Sequence, residues 1–436
     1  MTTRGPSVLV RRSRDFRAVW IGETTSAVGT NVSRVALPLL AVLVLGASTF
    51  QVALLTAAGW VPWLLIGLPA GAWVDRLARC RPLLLACNLL SAALLLSVPV
   101  RASTGELTLG YLLGIAVLVG GASVVFETAF SAYLPGVVPV DDVPAANAAL
   151  QGSASAAQVG GPGLAGLIAR LAGPIGGLVV DAATFLVSTL CLLRVRAPET
   201  RPAPGPRPGL VREIAEGLRY LGRDPYLRVL TAFGAASNLA LIGYQALLVV
   251  FLVRELDLGP TGVGLVLSGA ALGGVFGAAA AGPVVRRFGT ARGLLVCQFG
   301  AAPFALLIPL AAPGAGALLV VLGGLGVGIG VVAGNVVKTA FRQTYVPREL
   351  LGRVAVSMQI FNYGAIPLGA LGAGALGTAL GVRPALWIAT SGLLAAACLL
   401  LLGPLRHHRD LPAAPLVPER PRRDGAADQV HRTSRR

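Results

Sequence analysis

The chain has 436 residues, 55% of them hydrophobic and only 13% Asp, Glu, Lys or Arg, with a net charge of +17. Soluble domains carry roughly 25% charged residues, so a water-soluble fold of this composition would lack the charge to cover its surface. The apolar residues come in long runs, and about 20 in succession make one membrane-spanning helix.

The positive charge does not point to nucleic acid, because it sits in short stretches between apolar runs and in the two tails. Every basic residue but Lys338 is arginine. With heavy Ala, Gly and Pro usage, this fits a GC-rich bacterial genome. The five cysteines, Cys80, Cys87, Cys191, Cys297 and Cys398, are widely spaced without a C-x-x-C pair. They read as small core side chains rather than a disulfide framework or a zinc site. The first apolar run follows Arg11, Arg12, Arg14 and Arg17. It is too long for a cleavable signal and lacks an Ala-x-Ala site.

The predicted architecture is all-α: twelve transmembrane helices in two six-helix bundles. The spans are 16–45, 50–72, 82–100, 107–132, 145–171 and 174–195, then 226–253, 260–283, 292–310, 316–338, 354–380 and 384–403. The units are a cytoplasmic tail (1–15), an N-terminal bundle (16–195), a cytoplasmic linker (196–225), a C-terminal bundle (226–405) and a disordered cytoplasmic tail (406–436). The linker is rich in Pro and Arg, with a short amphipathic helix expected over 211–221. Basic residues concentrate in alternate loops, which puts both termini on the cytoplasmic side of a bacterial plasma membrane.

A charge inside the bilayer costs roughly 2.5–3.5 kcal/mol on insertion scales, so each intramembrane charge asks for a role. In the first helix Glu23 and Arg34 are eleven residues apart and return to nearly one face, with Thr30 there and Asn31 at its edge. Such a stripe suits a cavity wall; alternatively Glu23 meets water at the inner interface and Arg34 pairs with a neighbouring helix. After the second helix comes Gly71-Ala-Trp-Val-Asp75-Arg76, then Arg81, read as a gating loop in which Asp75 pairs with a facing group. Glu127 in the fourth helix is either a proton site or a solvated helix end.

In the fifth helix Gln158 precedes Gly161-Pro162-Gly163-Leu164-Ala165-Gly166. Pro162 removes a backbone donor and Gly161 permits close approach, so a bend is expected. Asp181, early in the sixth helix, is a gate, a proton site or a partner of Arg34 or Arg170. Asn238 and Gln245 share a face of the seventh helix; Gln359, Asn362 and Tyr363 cluster in the eleventh. These polar groups either orient a bulky apolar ligand or hold helices together. Gly269, Gly273 and Gly277, like Gly326, Gly330 and Gly334, recur every fourth residue and read as packing faces, not nucleotide loops.

The chain repeats itself. Gly71, Arg76 and Arg81 match Gly282, Arg287 and Arg292 at a constant offset of 211, with Arg286 in the place of Asp75. Ser131, Pro139 and Gln151 match Thr339, Pro347 and Gln359 at an offset of 208, which sets Glu127 against Asn335. Two registers in the same order indicate a duplicated six-helix unit, a known transporter plan with its site near the midplane.

These residues also carry a resemblance. The segment G-x-x-x-D-R-x-x-x-x-R after helix two is similar to the loop signature of the major facilitator superfamily. Ser26-Ala-Val-Gly29, Ala36-Leu37-Pro38, Leu134-Pro135, Val138-Pro139 and Asp181-Ala-Ala-Thr-Phe185 resemble its macrolide-efflux and enterobactin-exporter branch, over about residues 14–405. Gly161, Pro162 and Gly166 resemble the exporters' G-P-x-x-G-G motif, with Ala165 replacing a glycine.

The resemblance implies two bundles rocking around a central site, with export of amphipathic small molecules such as antibiotics, macrolides or siderophores, usually by proton antiport. The arginine that many drug antiporters keep in helix four is absent, and Arg34 is the candidate substitute. An importer of a metabolite, or a non-transporting membrane enzyme or scaffold, is the alternative. The chain holds no Walker A or H-E-x-x-H motif, so no cofactor or metal is expected. The expected partners are a small-molecule substrate, protons and lipid, with no nucleic acid, around a monomer.

Overall fold

The computed structural model describes residues 9–10, 12–74, 76–77, 79–197 and 210–412. The N-terminal half contains α1 (Arg14–Leu43), α2 (Thr49–Val74), α3 (Arg81–Ser103), α4 (Leu109–Val137) and α5 (Val143–Leu193). A linker helix α6 (Leu210–Arg223) leads to α7 (Pro225–Arg254), α8 (Pro260–Phe288), α9 (Thr290–Ala305), α10 (Ala317–Tyr345), α11 (Arg348–Leu380) and α12 (Val382–Leu399).

Among the described residues eleven helical stretches are long and apolar enough to cross a bilayer, against twelve apolar runs in the sequence. The difference lies in α5. Its 51 residues would reach about 77 Å at 1.5 Å each, more than twice the roughly 30 Å hydrocarbon core. Gly173 breaks it, with φ 71° and ψ 168°, just ahead of Pro174. Glycine takes that conformation without a Cβ penalty.

The two arms then run in opposite directions along α1. On the first arm Gly161 meets Asn31, and Ala165 and Ala169 share a cluster with Val32, Val35 and Leu39. On the second, Gly177 meets Ala36, Asp181 and Thr184 meet Gly29, and Ser188 and Cys191 meet Gly22. The α1 partners fall by sevens as the second arm's numbers rise, so α5 is a hairpin of two crossings.

Contacts inside the halves correspond. Helix α2 packs on α4 as α8 packs on α10, and α1 holds both arms of α5 as α7 holds α11 and α12. The glycine ladders supply the closeness: Gly120 lies on the Gly59 backbone, Gly273 and Gly277 on Leu325 and Ile329, and Gly326, Gly330 and Gly334 on Phe304, Ala301 and Gln298. Between the halves the main contacts are α5 with α8 and α2 with α11. Exchanging the halves turns one pair into the other, as a duplicated unit requires.

The linker carries α6, close to the helix expected from the sequence. Glu216 Oε2 accepts from Arg353 Nη1 of α11 at 2.6 Å, and Gly217 lies against the Arg353 backbone. Asp224, fully buried, caps α7 by accepting from the amides of Tyr226 and Leu227 at 3.0 Å each. It also accepts from the Tyr345 hydroxyl.

One expectation needs correction. The tail does not lose structure at residue 406. Pro404–His407 forms a short helical turn, and the next residues bind the start of α9. The Arg409 carbonyl accepts from the amides of Ala291 and Arg292 at 3.1 and 3.2 Å. Asp410 Oδ1 accepts from the Thr290 amide at 2.9 Å. A helix start offers orphan N–H donors, and the tail supplies their acceptors. Residues 413–436 lie outside the described residues, as does most of the 196–225 linker before α6.

Packing at the α1 seam predicts a steep substitution profile. A Cβ at Gly29 would overlap Thr184 and Asp181, whereas one at Gly152 meets nothing. Gly29→Val should destabilise the protein by about 1–3 kcal/mol, read as a lower melting temperature in detergent, with Gly152→Ala unchanged or slightly stabilised. Asp224→Ala should cost about 0.5–2 kcal/mol through the lost cap.

Candidate functional site: a charged cleft between the halves

Helix α1 carries a charge near each third of its length. Arg34 lies nine residues from the C-terminal end of α1 and Glu23 nine from its N-terminal end, about 13–14 Å from either end at 1.5 Å per residue. Arg34 and Glu127 of α4 are both exposed. Arg34 is within electrostatic reach of Glu127 and Asp181, and Glu127 is within reach of Glu23. Glu127 is also within electrostatic reach of Tyr363 of the opposite half, so this part of α4 borders the interface between the halves. The Glu23 Oε1 atom is buried with no hydrogen-bond partner. Asp181 is 2% exposed and accepts from the Thr184 hydroxyl at 3.3 Å.

The facing wall holds a cavity of about 280 Å³ bounded by α7, α9, α10 and α11, with Asn238, Asn335, Asn362 and Tyr363 in its lining. Asn238 Nδ2 donates to the Asn362 carbonyl at 3.3 Å, and Asn362 Nδ2 to the Met358 carbonyl at 2.8 Å. Both amides therefore join helices and line the cavity. At mid-membrane Tyr363 packs edge-on against Trp60 and Trp63 of α2, with centroids 5.9 and 5.4 Å apart.

Beyond these rings the halves close. Ala57 clusters with Ala246 and Ala370, Gly374 lies on Phe50 and Ala53, and Gly377 on Thr49. At the other seam Gly166 and Gly264 lie backbone to backbone, with Pro162 and Pro260 presenting their carbonyls. The Gly163 amide donates to Ser268 Oγ at 2.8 Å. Outermost, Arg254 Nη2 donates to the Ala47 carbonyl at 2.6 Å. All these links lie between the aromatic rings and the end of the bundle opposite the linker helix, so the cleft is sealed at that end.

Other sequence candidates fall elsewhere. Asn31 donates to the Ala27 carbonyl of its own helix at 2.8 Å and takes Gly161 on its Cβ, a packing role; Thr30, next to it, is half-buried. Gln158, Gln245 and Gln359 are exposed and do not line the α7–α11 cavity. Gly71 and Gly282 lie in the last turns of α2 and α8. Arg81 Nη2 donates to the Leu193 carbonyl at 2.7 Å, tying α3 to the end of α5 inside one half rather than across the cleft. Arg76, Arg286, Arg287 and Arg292 are exposed. Asp75 lies outside the described residues.

Three groups in the cleft are not among the residues that the sequence marks for it: Trp60 and Trp63 at the midplane, and Lys338. A signal for Lys338 exists, since it is the one lysine among 36 basic residues. Nothing in the sequence distinguishes the tryptophans from lipid-facing ones.

A duplicated twelve-crossing bundle around a polar cleft defines a membrane transporter of the major facilitator class. Solved structures share the fold. The nucleoside transporter NupG superimposes with a TM-score of 0.69 at 11% identity, covering 90% of this chain and 99% of that one. A bacterial homologue of the iron transporter ferroportin, in an inward-facing state, gives 0.71 at 17% identity over 89% and 98%.

The chain belongs to the transmembrane secretion effector family, whose model matches residues 10–423. Among curated proteins it is 28% identical to the multidrug efflux pump Tap of Mycolicibacterium fortuitum, over 88% of this chain and 91% of that protein. It is 29% identical to Tap of Mycobacterium tuberculosis H37Rv, over 88% and 89%.

The seal opposite the linker helix generates a prediction. A charged hydrogen bond contributes about 1.5–3 kcal/mol, so Arg254→Ala should shift the closed–open balance by about tenfold or more toward opening at that end. A cysteine placed at Gln158, exposed one turn below Pro162, should then react faster with an impermeant maleimide added from the sealed side.

Proposed function

We propose that this protein exports amphipathic small molecules (antibiotic-, macrolide- or siderophore-like) across a bacterial plasma membrane by alternating access, in exchange for protons. It works as a monomer with both termini cytoplasmic. The observation that carries the reading is the cleft: charged and amide side chains of both halves face each other beneath a seal confined to the outer half. Cargo would enter from the inner side, and rocking would transfer the seal to the inner ends. That curated relatives of matching length are named multidrug efflux pumps supports the outward direction.

The charge distribution supports the orientation. The end where the cleft opens carries Arg76, Arg79, Arg81, Arg286, Arg287 and Arg292, the excess expected on the cytoplasmic side. At the sealed end the loop arginines have local partners: Arg101 with Glu106 at 2.8 Å, Arg383 with Glu255 at 3.0 Å, and Arg254 with Ala47.

Arg34, Asp181, Glu127 and Glu23 form a group of titratable side chains, with Asp181 level with Gly29, between Arg34 and Glu23 along α1. Arg34 makes no direct ion pair among the described residues. It is thus placed to hold whichever carboxylate has released its proton, replacing the missing helix-four arginine.

Reconstituted vesicles with an imposed pH gradient test the coupling. Drug accumulation should follow the gradient in the native protein. Glu127→Gln and Glu23→Gln should each lower gradient-driven uptake by roughly tenfold or more, about 1.4 kcal/mol of barrier, while gradient-independent exchange of labelled drug persists. Native uptake that ignores the gradient would end the proton-antiport reading, and flux in the opposite direction would end the export reading.

A further inference from the structure

The α7–α11 cavity has a charge character of its own. Its lining contains Lys338 and Arg342 and no aspartate or glutamate, whereas the facing wall carries Glu23 and Glu127. The Lys338 ammonium lies 4.9 Å from the centre of the Phe233 ring. An ammonium has three N–H donors, and among the described residues none of these meets a carboxylate or forms a hydrogen bond. Three of the four lining amides are engaged within the protein: Gln298 Nε2 donates to the Gly330 carbonyl at 2.9 Å, and Asn238 and Asn362 donate to carbonyls as above; Asn335 lines the cavity without bonding Lys338. The position thus holds a cation whose polar partner must come from outside the protein.

Size and surroundings narrow that partner. A cavity of about 280 Å³ is at the lower edge of drug-sized sites, roughly 300–1,000 Å³, so it suits one end of a larger molecule. Tyr363 lines the cavity and also contacts Trp60 and Trp63, leading from the cation to an aromatic surface at the midplane. A compact ammonium on a flexible stem receives a single negative group without the fixed fork geometry of a guanidinium.

We propose that this cavity is an anion subsite: Lys338 receives the carboxylate of an amphipathic acid, and the apolar body of the same molecule lies toward Trp60, Trp63 and Tyr363. The inference rests on the export reading for its place in a cycle but makes a separate claim, that acids are preferred over their neutral esters. Binding of the acid supplies the charge that Lys338 lacks in the empty cleft.

The test is direct binding to the purified full-length protein in lipid nanodiscs, using fusidic acid, an amphipathic monocarboxylate, and its methyl ester as probes. Binding is followed by quenching of tryptophan fluorescence. The native protein should bind the acid about tenfold or more tighter than the ester. Lys338→Gln should abolish that difference by weakening the acid alone, and Lys338→Arg should retain most of it. High salt should weaken the acid and spare the ester. Equal native affinities, parallel loss of both probes in Lys338→Gln, or no saturable binding of the acid would each overturn the subsite. If the acid–ester difference stands while vesicles show no outward flux, the export reading fails and the subsite survives.

Discussion

Taking a charged side chain into hydrocarbon costs roughly 2.5–3.5 kcal/mol on insertion scales, and the arrangement of this protein follows from where those charges can go. Glu23, Arg34, Glu127 and Lys338 all fall within crossings rather than loops. The two bundles place them on walls that face one another, with Glu127 acting across the gap on Tyr363. Attraction of Arg34 to Glu127 and Asp181 offsets part of the cost. The rest of the molecule is the apparatus that keeps lipid out of that cleft.

Glycine and alanine do most of that work. Within the halves they bring backbones together, as at Gly120 on Gly59 and Gly273 on Leu325. Between the halves they produce seams with little interdigitation, as at Gly166 on Gly264. Large side chains would lock two surfaces like gears, whereas small ones form contacts that can part and re-form. The apolar packing of the crossings against each other is extensive, but among the described residues the polar links that join the halves at the sealed end are few: Gly163 to Ser268 and Arg254 to Ala47.

Much of this was legible in the sequence because hydrocarbon imposes length and polarity rules that run along the chain. The number of crossings, the linker helix and the duplication all followed from spacing. Gly173 and Pro174 fell between two apolar runs, so their turn was implicit. The site was only half legible. Glu23, Arg34 and Glu127 announced themselves by charge, but amides such as Asn31 and Gln245 gave no sign of which surface they would face. One turn of helix separates a cavity position from a packing position, and that phase is set by neighbours remote in sequence. The tail shows the same limit: Pro- and Arg-rich composition hid the fact that Arg409 and Asp410 complete α9.

That last contact has a consequence for biogenesis. Asp75, just past α2, has as its counterpart in the repeat Arg286, in the last turn of α8, and α9 begins with amides satisfied by residues some 120 positions later. The C-terminal bundle therefore cannot complete the start of α9 until residues 409 and 410 have left the ribosome. The two halves, alike in plan, mature on different schedules, and the second is fastened from its far end.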